Sequence, residues 1–505
     1  MEELDRREVT TFNGKKAVIV VEEHTGPLGP RISESEYYES MEEEHHVMSH
    51  SLPSVATLCN SAIGAGVLSL PFAFRNTGAL GGVLLCLSIG AAEAFTLYVL
   101  SKMSERYNAS SYSQLIRATL GKKMATFLAL IMIVYMWGAC NAYLVIVGDV
   151  FSSLGGYLAG PDSMLADRQI IIVSIGAVFL LPLCFIKRIG ALSALSSVAV
   201  VGFLYTAAVV LRNAFQIMSK RQEEGLSRWD GVQLINVDLR ALFALPIVVF
   251  GFNCHANAVP IFQELTEEPE NLLPIKSRRK TSKLVNMIAV ILATISLIMA
   301  GYLVVGLAGY VAYPTSVTSN VLNILPESDP WVQAARGFIG VVVAGHFPLN
   351  HHPARAGALD FAAMAGIGQA TRESFVAPLF TSVFVLSSVA VSCFVTDLGD
   401  VIHLIGGTVA ALLIFFNPGF MLINAAIVKD STKKLSQLSL MQDQGDDEDE
   451  VTSSLNIPIL MQAASKGIKK TGLVYSPGKS WAAGLVLVTF AVFIFIITMI
   501  TTFLH

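Results

Sequence analysis

Charged residues are scarce in this sequence. Only 14% of its 505 residues are Asp, Glu, Lys or Arg, whereas soluble domains carry about 25%. Hydrophobic residues make up 53% and the mean hydropathy is +0.60. This composition excludes an ordinary soluble domain and predicts an integral membrane protein that contacts lipid. The sequence also lacks a basic stripe, and its net charge is −4, so nucleic acid is not expected as a partner.

Cysteine is rare as well. The six cysteines lie inside apolar segments and none forms a Cys-x-x-Cys pair, which favours small buried side chains over disulfides or metal ligands. No cofactor is expected. The sequence contains no nucleophile–base pair, metal-ligand spacing or phosphate loop, and no filter or charged ring typical of a channel. An enzyme and an ion channel are therefore both disfavoured.

Long apolar runs dominate the chain and predict an all-α membrane protein with eleven transmembrane helices. The runs cover residues 52–74, 79–101, 124–152, 169–186, 190–211, 241–263, 284–312, 334–350, 374–395, 401–427 and 481–504. The eighth is the shortest. Between the second and third runs, residues 110–123 are expected to form an amphipathic helix at the membrane surface.

The polar segments predict the remaining organisation. Residues 1–50 lack the apolar core of a signal peptide and are expected to form a disordered cytosolic tail. Residues 51–427 form the ten-helix core, 428–480 a cytosolic loop with an acidic run, and 481–505 the eleventh helix. Lys and Arg concentrate in the loops after even-numbered runs. The N-terminus is therefore predicted to be cytosolic and the C-terminus to lie on the opposite side.

The first apolar run is interrupted at its centre. Asn60-Ser-Ala-Ile-Gly-Ala-Gly66 contains two glycines one residue apart and two side chains that compete for backbone hydrogen bonds. A helix broken at mid-membrane is tolerated only where the break faces protein, water or a ligand. We interpret it as half of a substrate site. The alternative is that Gly64 and Gly66 allow a neighbouring helix to pack closely.

The sixth run carries a second interruption. Its centre, Phe250-Gly-Phe-Asn-Cys-His-Ala-Asn257, is polar and lies between Pro246 and Pro260, so a continuous helix is not expected. Runs one and six each begin a group of five, about 51–211 and 241–427. Matching interruptions in two halves are typical of inverted-repeat transporters with a site at the membrane midplane.

An amino acid fits the chemistry of two such breaks. Free N–H groups after Gly66 suit a carboxylate, and unwound carbonyls near Gly251 suit an ammonium group. Tyr143 is a candidate gate over the substrate. The predicted substrate-binding residues are Asn60, Ile63, Gly64, Ala65, Gly66, Tyr143, Phe250, Gly251, Asn253 and Cys254.

These motifs, with Pro348-Leu-Asn-His-His-Pro-Ala-Arg355, Asp397-Leu-Gly-Asp-Val and Asn417-Pro-Gly, resemble the amino acid/auxin permease family, near its sodium-coupled neutral amino acid transporter branch. The likeness covers roughly residues 48–430. It implies a LeuT-type 5+5 inverted repeat with helices 1 and 6 broken, and cation-coupled amino acid transport. In that branch a hydroxyl residue on helix eight helps the counterpart of Asn60 to bind sodium. The corresponding stretch here, Gly340 to His346, has no Ser or Thr, which favours H+ over Na+ as the coupling ion.

Four polar side chains at membrane depth are candidates for cation coupling: Asn60, Glu93, His255 and His346. A charge there is costly, so Glu93 is either a proton-relay site or hydrogen-bonded to a neighbouring helix. Imidazole changes its charge near neutral pH, which makes His255 a proton-coupling candidate. The alternative for His255 is a neutral ring that donates to a carbonyl. His346 falls where the helix-eight cation ligand is expected.

The sequence therefore predicts a secondary active amino acid transporter that works by alternating access, in a plasma, vacuolar or lysosomal membrane. The alternative is an amino acid sensor that binds substrate and signals through its cytosolic tails. Those tails, residues 1–50 and 428–480, are long enough to dock cytosolic regulatory partners. Which amino acid is bound does not follow from the sequence.

Overall fold

The computed structural model describes residues 51–186, 193–265, 283–428 and 477–504. The predicted tail (1–50) and most of the predicted loop (428–480) lie outside the described residues. The regular elements are helices: α1 Ser51–Ala62, α2 Leu70–Thr77, α3 Ala79–Tyr107, α4 Tyr112–Leu120, α5 Lys122–Ala159, α6 Arg168–Phe185, α7 Ser193–Glu223, α8 Ala241–Phe252, α9 His255–Glu264, α10 Lys283–Ala312, α11 Pro330–Met364, α12 Gln369–Phe394, α13 Leu398–Val428 and α14 Pro477–Leu504.

Ten helical segments of the described residues are long and apolar enough to cross a membrane, with α8 and α9 taken together as one. The number rises to eleven if α1 and the segment Ala65–Thr77, which bends away from it by 52°, are taken as one more. Seen from outside, the bundle exposes large apolar side chains, including Leu84 at 52%, Phe179 at 62% and Phe375 at 62%. Such a surface suits hydrocarbon rather than water.

The eighth apolar run was predicted too short. In place of residues 334–350, α11 runs for 35 residues and contains Pro348 and Pro353 in its interior. Part of the segment after residue 355, expected to be a loop, is therefore helix. Helix α7, predicted as the fifth apolar run over residues 190–211, also extends further than predicted, to Glu223.

The short amphipathic helix predicted between runs two and three is confirmed as α4, with narrower bounds. Ser111 caps it by accepting a hydrogen bond from the Gln114 amide at 3.2 Å. Leu115 and Ile116 are fully buried, and the Tyr112 hydroxyl donates to the Leu413 carbonyl at 2.8 Å. This helix is thereby tied to α13.

Helix α10 lies beside the substrate-site candidates. It packs on α1, α2, α3 and α7, and its tyrosine Tyr302 is fully buried. Helices α5 and α11 pack along each other and carry Tyr143 and His346. The two predicted interruptions thus lie among buried helices rather than at the lipid-facing surface.

Candidate functional site

The chain leaves helical geometry at Gly64. Helix α1 ends at Ala62, and a 3-10 segment, Ala65–Ser69, begins after Gly64, whose φ and ψ are −149° and −144°. Ile63 and Ala65 are buried on either side. Helix α1 therefore ends inside the stretch from Asn60 to Gly66.

The second interruption is two residues long. Helix α8 ends at Phe252 and α9 begins at His255, with extended backbone at Asn253. The Asn253 side-chain oxygen accepts a hydrogen bond from the His255 amide at 3.2 Å, which satisfies one of the unpaired donors at the start of α9. Phe250 and Cys254 are buried on either side of it.

The two interruptions touch through glycine. A Cβ atom added to Gly66 would lie 2.6 Å from the Gly251 Cα atom and 3.1 Å from the Gly251 nitrogen. No larger residue fits at position 66 unless one backbone moves. The two readings of the glycine pair are therefore compatible, because Gly66 both adjoins the break and allows close packing.

Tyr302 joins the same two interruptions and was missed by the sequence analysis. Its hydroxyl lies 3.0 Å from the Ala62 carbonyl oxygen and 2.6 Å from the Gly251 carbonyl oxygen. A tyrosine inside an apolar run is ordinary, and its partners here are main-chain atoms. In the sequence, the only unusual property of Tyr302 is a phenol hydroxyl group at membrane depth.

One group of candidate side chains surrounds Asn60. The Asn60 side-chain oxygen lies 2.9 Å from His346 Nε2, and the His346 and Tyr143 rings lie 5.8 Å apart. The Tyr143 hydroxyl accepts from Asn350 at 3.2 Å. The same hydroxyl would lie 3.2 Å from a Cβ atom built on Gly64, so this group adjoins the first break.

A second group joins Glu93 on α3 to His255 on α9. Glu93 Oε2 lies 3.2 Å from His255 Nδ1, and both side chains are fully buried. His255 Nε2 lies 2.8 Å from the Thr96 hydroxyl oxygen, and that hydroxyl donates to the Glu93 carbonyl at 3.0 Å. Among the described residues, neither Glu93 carboxyl oxygen has a hydrogen bond of good geometry. Glu93 and His255 are therefore within ion-pair distance of each other but do not form an aligned hydrogen bond.

Asp149, near the end of α5, is the centre of a third polar group. It accepts from Arg168 Nε at 2.8 Å and from the amides of Asn320 and Asn323 at 3.1 and 3.0 Å. Arg168 also donates to two carbonyls at the end of α12. The segment between α10 and α11 is further held by Ser69, whose hydroxyl donates to the Ser319 carbonyl at 2.5 Å.

Comparison with known proteins assigns this architecture. The family model described as transmembrane amino acid transporter protein matches residues 49–442. The chain belongs to this family of amino acid transporters. It is accordingly a multi-pass membrane protein and not an enzyme.

The chain is similar in sequence to several named amino acid transporters from other organisms. The sodium-coupled neutral amino acid transporter 7 of Danio rerio is 30% identical over 404 residues, which cover 76% of this chain and 81% of the relative. The protein of the same name from Homo sapiens is 28% identical over 75% of this chain and 79% of its own length. Vacuolar amino acid transporter 5 of Schizosaccharomyces pombe is 28% identical over 72% of this chain and 82% of the relative.

Two solved structures share the fold of this chain. The crystal structure of MhsT in complex with L-phenylalanine matches with a TM-score of 0.52 and 13% identity, over 90% of this chain and 99% of that one. A sodium-coupled sialic acid symporter in its substrate-bound outward-open state matches with a TM-score of 0.50 and 11% identity, over 92% and 91%. The fold is LeuT-like.

Proposed function

We propose that this chain is a secondary active transporter that carries neutral amino acids together with protons by alternating access. In this proposal α1 and Ala65–Thr77 form one broken span, α8 and α9 form another, and eleven helices cross the membrane as a 5+5 inverted repeat plus α14. The cytosolic N-terminus and the C-terminus on the opposite side belong to the same proposal.

The proposed substrate site lies at the two interruptions. The segment after Gly66 offers N–H groups to the carboxylate, and carbonyls from Gly251 to Cys254 accept from the ammonium group. The lining residues are Asn60, Ile63, Gly64, Ala65, Gly66, Tyr143, Phe250, Gly251, Asn253 and Cys254. Neutral substrates are supported by the names of the relatives from Danio rerio and Homo sapiens.

The observation that carries proton coupling is the contact between Asn60 and His346. A sodium ion needs several oxygen ligands, and the stretch of α11 nearest Asn60 supplies an imidazole nitrogen at 2.9 Å instead. An imidazole can take up and release a proton near neutral pH. The sodium-coupled names of the relatives favour Na+ as the second candidate ion.

The Glu93–His255 contact supplies a buried place for one transferable proton. Because the Thr96 hydroxyl donates to the Glu93 carbonyl, the hydrogen between Thr96 and His255 comes from Nε2. In the proposal one further proton is carried either by His255 Nδ1 or by Glu93 Oε2, which lie 3.2 Å apart, and the pair is neutral in both cases. Loss of that proton leaves a buried negative charge, which is costly at membrane depth.

Uptake into proteoliposomes tests the proposal. Purified full chain is supplied with radiolabelled neutral amino acids under an inward proton gradient, an inward sodium gradient, or neither. We expect accumulation with protons alone, and a loss of at least about tenfold in His346→Ala because this variant lacks the imidazole that is proposed to carry the proton. His352→Ala, on the same helix and only partly buried, is the matched control and keeps normal uptake.

The other outcomes identify other functions. Accumulation that requires sodium would assign Na+ as the coupling ion. Binding without uptake under any gradient would favour the sensor. Vacuolar names among the relatives support a vacuolar or lysosomal membrane, which imaging of the tagged chain in its own cells tests directly.

A further inference from the structure

Two helix ends converge on one hydroxyl group in the middle of the bundle. Ala62 is the last residue of α1, and Gly251 is the last but one of α8. The final carbonyls of a helix have no intrahelical donors, and in a membrane interior they need partners from elsewhere in the protein. For these two carbonyls the partner is the Tyr302 hydroxyl, at 3.0 and 2.6 Å.

The position of this hydroxyl is fixed by packing. The Tyr302 ring meets the Phe252 ring edge to face at a centroid distance of 5.0 Å and the Phe203 ring at 6.1 Å. Tyr302 is fully buried. A hydroxyl has a single proton for two acceptors, so a displacement of either carbonyl changes the hydrogen bond to the other.

We propose that Tyr302 is a positioning residue that makes the two helix breaks move as one unit during transport. The inference rests on the proposed function, because only a transport cycle requires the breaks to move. If α1 shifted without α8, one buried carbonyl would be left without a donor, and the reverse also holds. The Gly66–Gly251 contact opposes relative sliding at the same place.

Two native cysteines report on the two breaks. Cys59 lies in the last turn of α1 and Cys254 lies between α8 and α9, and both are buried. Variants that keep only Cys59 or only Cys254, with the other cysteines replaced by Ala, are first checked for uptake, because Cys254 is itself one of the proposed lining residues. Variants that retain uptake are then labelled with N-ethylmaleimide in proteoliposomes. Labelling rates are measured with and without an equimolar mixture of L-alanine, L-leucine and L-phenylalanine.

We expect the amino acids to change the labelling rates of Cys59 and Cys254 by factors that agree within about twofold. With Tyr302→Phe, we expect the two factors to differ by at least about fivefold. Tyr310→Phe is the control, since Tyr310 is a buried tyrosine on the same helix whose hydroxyl bonds to Gln233 rather than to a break. Tyr302→Met, which also lacks a hydroxyl, replaces Tyr302→Phe if that variant does not fold.

Factors that still agree in the Tyr302 variants would overturn the inference, as would labelling that does not respond to amino acids in a parent chain that transports them. A parent chain without uptake counts instead against the proposed function. In that event the inference falls together with the proposed function, because it requires a transport cycle.

Discussion

The Glu93 carboxyl group is fully buried halfway along α3, and the His255 imidazole lies 3.2 Å from it. The groups that face this pair include Thr96 on the same helix, Tyr135 on α5 and Cys254, which precedes His255 in the chain. None of these three supplies a positive charge. In the proposed function the pair therefore depends on one proton, held by either partner, for neutrality, which is the property that a buried proton-carrying site requires.

Removing either partner should flatten the pH dependence of transport. In Glu93→Gln and His255→Ala the shared proton has no second acceptor, so we expect proton-driven accumulation to fall at least about tenfold and to vary little with pH. Uptake is measured in proteoliposomes across a range of external pH. Glu105→Gln is the matched control, because Glu105 lies on the same helix near its end and pairs with Lys102 while partly exposed.

A pH profile in either variant that matches the parent chain would remove the Glu93–His255 pair from the proposal and leave the Asn60–His346 contact as its proton site. A profile altered equally by Glu105→Gln would indicate a general effect of charge on α3 rather than a proton site.

Single residues were predictable from the sequence when their own chemistry was unusual at membrane depth. Asn60, His346, Glu93 and His255 were all singled out because polar side chains are costly there, and the structure brings them together as two contacts. Which residue pairs with which could not be predicted, because pairing depends on the rotation of each helix. Tyr302 was missed because its partners are main-chain carbonyls, which every residue has.

At the scale of whole elements, the segment Ala65–Ser69 and helix α8 meet backbone to backbone at Gly66 and Gly251. From the sequence, Gly66 was related to substrate binding or to helix packing, and Gly251 to substrate binding. The structure shows close packing at this point, since a Cβ atom added to Gly66 would lie 2.6 Å from the Gly251 Cα atom. The two elements therefore set a size limit on each other.

Substitution of Gly66 should stop transport by separating these elements. We expect Gly66→Val to reduce uptake by at least about tenfold while the amount of protein in the membrane stays largely unchanged, because the misfit costs only about 1–3 kcal/mol. Uptake is normalised to the quantity of protein in the vesicles. Gly337→Val on α11 is the control, since an added Cβ atom there has no neighbour within 4 Å.

Uptake by Gly66→Val at the level of the parent would place the substrate site elsewhere. A similar loss in Gly337→Val would show that valine in any of these helices is poorly tolerated.

The residues at which helices end were predicted less well than the helices themselves. The eighth run was predicted to end at residue 350, yet α11 continues to Met364 with Pro348 and Pro353 inside it, although proline removes a backbone donor. Neighbouring helices can satisfy the groups that proline frees in a membrane protein. The sixth run behaved differently, since the chain leaves helical geometry at Asn253, between its two prolines, rather than at either of them.

At the scale of the whole molecule, the polar group around Asp149 joins segments that are far apart in the chain. Arg168, Asn320 and Asn323 all donate to the Asp149 carboxylate, and Arg168 also reaches the end of α12 through the carbonyls of Ser392 and Val395. Four separate parts of the bundle are thereby connected at one carboxylate. The Asp149 side chain is only 9% exposed, so solvent does little to replace these bonds.

Asp149→Ala should therefore destabilise the folded bundle. Leaving Arg168 without its carboxylate partner costs about 3 kcal/mol or more for a largely buried pair, and we expect the thermal midpoint of this 505-residue chain to fall by about 3 °C or more. The midpoint is measured by thiol-reactive dye fluorescence on the purified chain in detergent. Lys102→Ala, which breaks a more exposed pair, should change it by about 1 °C or less.

Equal midpoints for Asp149→Ala and the parent would mean that the network adds no net stability. The membrane-spanning helices were predictable because apolar runs of membrane length survive any error in the rotation of single helices, whereas the LeuT-like fold was implied by the resemblance to the family. The Asp149 network was not predictable, since it joins loops and helix ends that carry no periodic signal.

The last helix is fastened to its neighbour at several points along its length. Gly484 on α14 and Gly419 on α13 meet backbone to backbone, so that a Cβ atom on either would fall within 2.8 Å of the other's carbonyl oxygen. Thr501 lies 3.0 Å from His403 near the opposite end. A fluorophore attached at the C-terminus would therefore travel with α13, and energy transfer from it to a dye on α5 would time the turnover of single molecules without any label inside the transport path.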